Sequence, residues 1–80
     1  MSTKQLKAKW WHWLGRQKAR KGDYRSALNY GHRILCLYPN WGPAHSYIGY
    51  CHSGLEQDEE AVKAFDHALQ IDPNLAYARA

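Results

Sequence analysis

The sequence predicts an all-α fold of antiparallel helix pairs, and two observations carry that expectation. The first is a period of 34 residues: Leu14-Gly15 returns as Ile48-Gly49, Ala27-Leu28 as Ala61-Val62, and Tyr38-Pro39-Asn40 as Asp72-Pro73-Asn74. A fixed period of that length marks an array of helix–turn–helix units, each too small to bury its apolar face alone. The second is punctuation. Gly22-Asp23, Pro39 and Asp72-Pro73 separate stretches whose apolar residues recur at helical spacing.

The first helix is expected from about Lys4 to Lys21, ended by Gly22, with Asp23 as N-cap of the next. The second, from about Tyr24 to Leu37, carries Ala27, Leu28, Ile34 and Leu35 on one face, and Pro39 stops it. Pro39-Asn40-Trp41-Gly42 reads as a turn. Pro43 suits the first turn of the third helix, where a missing N–H costs nothing; this helix ends near Gly54. The fourth, from about Asp58 to Ile71, opens with Asp58, Glu59 and Glu60 at the positive end of the helix dipole. Its apolar stripe is Ala61, Val62, Phe65, Ala68, Leu69 and Ile71. Asn74 is expected to open a fifth helix from Leu75 to Ala80. Gly15 and Gly49 stand at equivalent mid-helix places, where Gly costs about 1 kcal/mol relative to Ala; their recurrence points to close helix–helix approach.

Eighty residues make one domain, near the size at which core burial only just offsets chain entropy. No apolar run is long enough to span a bilayer, and no apolar stretch with a cleavage site follows the charged start, so a cytoplasmic protein is expected. Two Cys outside any framework agree with a reducing compartment. Charge is uneven: residues 1–25 hold eight bases and one acid, residues 26–80 three bases and six acids. Two such chains attract head to tail, or the basic end meets an acidic partner, unless both are simply solvated faces.

These positions together resemble the tetratricopeptide repeat, whose pattern runs W-x2-L-G-x2-Y, then A-x3-F, then a small residue and a closing Pro. Residues 8–41 show Trp11, Leu14, Gly15, Gly22-Asp23-Tyr24, Ala27 and Pro39; residues 42–75 show Ile48, Gly49, Ala61, Phe65, Ala68 and Pro73. Residues 1–7 extend the first helix as a basic segment, and residues 76–80 look like the start of a third unit. Departures are Lys18 and His52 for the usual Tyr, His45 for Trp, Gly31 for Phe and Ile34 for Ala. The Gly31/Ile34 pair is expected to compensate in volume, and the two His to make the second unit's core more polar. The resemblance implies a right-handed α-solenoid whose concave face is lined by the first helix of each unit. It also implies a scaffold or adaptor that binds peptides or partner helices and is not an enzyme.

On the first helix, Lys9, His12, Trp13, Arg16 and Arg20 form one stripe. On the third, Tyr47 and Tyr50 hold the matching places, and Tyr77 extends the row. The expected groove is basic and aromatic, suited to a peptide with acidic and apolar side chains. The plainer reading has these aromatics packed on neighbouring helices. Some family members grip a chaperone's C-terminal carboxylate with Lys, Asn and Arg. The matching places here are His12, Arg16, Tyr47 and Tyr77, so that clamp is absent.

Metal binding is not expected: His32/Cys36 and His45/His52 share helix faces, but no third ligand joins either pair. No cofactor motif and no nucleophile–base pair stands out. Two repeats are expected to leave apolar surface open, covered by a second copy as a dimer or helix swap. The alternative reading, from another class, is a binder of nucleic acid or anionic membrane through the basic, Trp-rich segment from Lys4 to Trp13, which holds Lys4, Lys7, Lys9, Trp10, Trp11, His12 and Trp13, although Trp11 is also claimed by the repeat core.

Overall fold

The structure, a computed structural model, describes residues 3–73. Four helices follow one another: α1 (Thr3–Arg20), α2 (Tyr24–Leu37), α3 (Gly42–Gly54) and α4 (Asp58–Ile71). α1 pairs with α2, α3 with α4, and α2 with α3, so each helix packs on its neighbour in the chain. The second and fourth helices have the expected bounds. The first begins and ends one residue before its expected bounds, and the third has Pro43 in its first turn and ends at Gly54, as expected. The expected fifth helix and Tyr77 lie outside the described residues.

The two hairpin turns share one geometry. At the first, the Asp23 N–H donates to the Lys18 carbonyl (2.9 Å) and the Gly22 N–H to that of Ala19 (2.9 Å). At the second, Gln57 donates to His52 (2.8 Å) and Glu56 to Ser53 (3.0 Å). This double bond closes a helix C-terminus only if the residue after the last turn is left-handed. Gly22 takes that conformation (φ 83°) and so does Glu56 (φ 62°). Asp23 caps α2, its carboxylate accepting from the Ser26 N–H at 3.2 Å; Gln57 makes no such side-chain bond to α4.

Two apolar clusters hold the hairpins together. One gathers Ala19, Ala27, Tyr47, Ile48 and Cys51, with Tyr24, Leu28, Leu35 and Ala64 against it. The other gathers Ala8, Ile34 and Ala44 beneath Trp11, Leu37, Tyr38 and Trp41. Cys51 fills a small core position and burial pushes its thiol up to about 11, while Cys36 is exposed.

The repeated glycines receive aromatic rings rather than another backbone. A Cβ on Gly49 would meet the Phe65 ring at 2.9 Å, within the second hairpin. A Cβ on Gly15 would run into the Tyr47 hydroxyl, which arrives from α3. Gly31 opens the same slot from the other side, with Tyr47 Cε1 and Ile48 Cγ1 at 3.1 and 2.8 Å from where its Cβ would stand. The expected volume exchange between Gly31 and Ile34 is therefore corrected: α3 supplies the missing bulk, and Ile34 packs with Ala8 and Ala44. The two His of the second unit sit at its rim, half-buried and bonded. His45 donates to the Pro39 carbonyl (2.8 Å) and His52 to Gln57 Oε1 (2.7 Å).

Candidate functional site: two clefts on the first helix

The 3.6-residue turn of α1 places Lys9, His12, Trp13, Arg16, Gln17 and Arg20 along one open cleft of about 360 Å³. Five of the residues expected in a groove are thus brought together, and three guanidinium or ammonium groups give the cleft its sign. His12 is the hinge of the arrangement. Its ring meets Tyr47 edge-on at 5.6 Å and Trp41 at 6.0 Å, where α1 meets the start of α3. Burial, and then the charge of Arg16, hold its imidazole below the usual His range, so near neutrality it is uncharged.

Tyr47 does not line this cleft. Its side chain is 7 % exposed, and its hydroxyl donates to the Ala27 carbonyl at 2.8 Å. A helical carbonyl has a second lone pair for that purpose, and burial pushes the phenol's proton affinity up. The expectation of a groove Tyr47 is corrected for a simple reason: Gly15 and Gly31 open a slot that the ring fills. Tyr50 is exposed, but its ring leans edge-on against Tyr24 at 5.8 Å, away from the α1 cleft. The Tyr50 hydroxyl beside it raises the proton affinity of Tyr24.

A second cleft adjoins the first. Gln5, Ala8, Lys9, Tyr38 and Trp41 line about 240 Å³ of mostly apolar space, and Lys9 borders both clefts. Lys4 places its ammonium over the Tyr38 ring, 5.0 Å from the centroid. In the sequence pattern Tyr38 and Trp41 belong only to the chain around the Pro39-Asn40 turn. The available signal was two large aromatics around Pro39-Asn40, where small polar residues are usual. Trp13, which lines the basic cleft, also stacks on Trp10; both are exposed, with centroids 5.4 Å apart and planes within 13°.

Among the described residues, no three His, Cys, Asp or Glu side chains are grouped to hold a metal. His45 approaches His67 of α4, with 4.0 Å between ring centroids, rather than acting with His52. No described helix is long and apolar enough to cross a membrane.

Residues 42–75, which span the second hairpin, match the family model described as Tetratricopeptide repeat. The chain carries a tetratricopeptide repeat. Repeats of this kind are typically non-enzymatic protein–protein interaction modules, and the helical hairpins described above have the architecture such a module needs. No curated protein matches the chain.

Proposed function

We propose that this tetratricopeptide-repeat chain is a scaffold or adaptor that binds a peptide or partner helix bearing both acidic and apolar side chains. Residues 8–41 act as a first repeat ahead of the matched one. The observation that carries this reading is the pair of adjoining clefts: Lys9 is shared between an apolar cleft walled by Ala8, Tyr38 and Trp41 and a basic one walled by Arg16 and Arg20. Apolar side chains of the partner enter the first, its carboxylates face the second, and Trp13 lies against them in the basic wall. Tyr47 serves from beneath, by fixing α1 against α3. The same module self-associates through apolar surface left open on α1 and α4.

An array of short peptides of mixed acidic and apolar composition, each beside its Lys-for-Glu counterpart, tests the reading. The chain is expected to hold acidic spots, and an Arg16→Glu/Arg20→Glu variant of equal helicity to lose them. Equal binding of both peptide sets sinks the proposal.

The exposed Trp10–Trp13 stack among Lys4, Lys7 and Lys9 favours a second reading, a platform for nucleic-acid bases or an anionic surface. A fluorescent single-stranded oligonucleotide distinguishes it: phosphate binding falls linearly with salt on a log–log plot.

A further inference from the structure

The joint between α2 and α3 shows how one unit of this chain seats on the next. Ala44 packs with Ile34, while Tyr47, Ile48 and Cys51 pack with Ala27, Leu28 and Leu35. Counting 34 residues back from Ala44 and Tyr47 lands on Trp10 and Trp13 of α1. Counting 34 forward from Leu28 and Leu35 lands on Val62 and Leu69 of α4. Every residue landed on is exposed: Trp10 58 %, Trp13 52 %, Val62 57 % and Leu69 38 %. The two Trp rings stack into a flat plate, and Val62 and Leu69, seven residues apart, share one helix face.

Charge separates this outer pair of faces from the inner joint. α1 carries six bases and no acid, and α4 four acids and one base; α2 and α3 carry no acid between them. We propose that the Trp10–Trp13 plate of one copy docks on the Val62–Leu69 stripe of a second copy, in the register in which α3 docks on α2 within the chain. The proposal rests on the reading of the module as self-associating and names its two mating faces. Phe65 stands 34 residues beyond Gly31 and already fills its own hairpin against Gly49, so Trp13 cannot insert as Tyr47 does. The outer joint therefore lies flat and is reversible. Because its faces differ, each docking leaves one face of each kind free, and assembly continues past two copies. Opposite helix charges make it sensitive to salt.

Sedimentation of the full chain over rising concentration tests this, together with Trp10→Glu, which spoils the plate, and Val62→Lys/Leu69→Lys, which spoils the stripe. All three sites are exposed, and circular dichroism checks that each variant stays folded. The wild type is expected to grow beyond dimers with concentration and to shrink with added salt. Each variant alone is expected to associate about tenfold or more weakly. An equimolar mixture of the two is expected to form a 1:1 complex, since one copy keeps its stripe and the other its plate. Two outcomes overturn the joint while leaving self-association standing: a wild type that associates with a mixture that stays monomeric, or a variant that associates alone as tightly as wild type. A wild type that is monomeric throughout overturns both.

Discussion

The two hairpins of this chain share a frame and fill it differently. In the second, Phe65 from α4 covers Gly49 of its own partner helix, so the hairpin supplies its own aromatic plug. In the first, Gly31 leaves that place empty, and Tyr47 of α3 enters between Gly15 and Gly31. The turns differ in the opposite sense. The first has the residues its geometry favours, Gly22 in the left-handed position and Asp23 as a bonded cap; the second puts Glu56 and Gln57 there. A sequence repeat thus conserves a backbone path while the interactions that stabilise it move between helices.

The largest expected effect breaks the plug of the first hairpin. Tyr47→Ala removes a buried aromatic, a loss of about 3–5 kcal/mol. That is comparable with the roughly 4–12 kcal/mol of total stability expected of a chain this size, so urea melts should show a largely unfolded protein. Gly31→Phe alone is also expected to destabilise, because a side chain there meets Tyr47 and Ile48. Combined with Tyr47→Ala it restores the arrangement of the second hairpin and recovers part of the loss; strictly additive losses would show that the two positions do not share one slot. Tyr47→Phe keeps the ring and removes only the bond to Ala27, costing about 1 kcal/mol.

The turns give smaller effects of opposite sign. Glu56→Gly relieves a left-handed non-glycine residue and is expected to add about 0.5–1 kcal/mol, after allowing for the greater freedom of Gly in the unfolded chain. Gln57→Asp introduces the cap that Asp23 already provides, adding about 0.5–1 kcal/mol; Asp23→Ala removes about as much. Thermal melts of the three single variants rank these terms.

The smallest effect is pH dependence. His12 is held below its ordinary range, so the folded state favours the neutral ring. Its contribution is complete above the unfolded value near 6.5 and is lost as pH falls through the folded one. His12→Gln should flatten the melting temperature between pH 7.5 and 5.5, and an unchanged slope would assign that dependence to other groups. Asp23 acts lower on the scale. The bond from Ser26 depresses its carboxyl, so its share is present above the ordinary Asp range and disappears as pH drops through the folded value.

Much of the architecture was legible because its signals are local. Gly22-Asp23, Pro39, Pro43 and the acidic start at Asp58 each act within a turn or two, and the helices begin and end where they fall. The α1 stripe was legible for the same reason, since helical spacing alone aligns Lys9, His12, Trp13, Arg16 and Arg20. Tyr47 was misread because what decides its side chain is non-local. Helical position puts it beside Tyr50, and only Gly15 and Gly31, on two other helices, show that its ring has a slot to enter. The apolar cleft escaped notice because Tyr38 and Trp41 flank a turn, where no periodicity relates them to Ala8.

The seating of Tyr47 also bears on whether the units are modular. A chain reordered so that residues 42–75 precede residues 8–41 would keep every helix and turn, yet leave the Gly15–Gly31 slot vacant and set Trp13 against the closed face of Phe65. Duplicating residues 42–75 in tandem would present a second Tyr to a hairpin that has no opening for it. The order of the units is therefore encoded at the seam between them, as a lock in one and a key in the next, and the smallest interchangeable part of this protein is longer than its repeat.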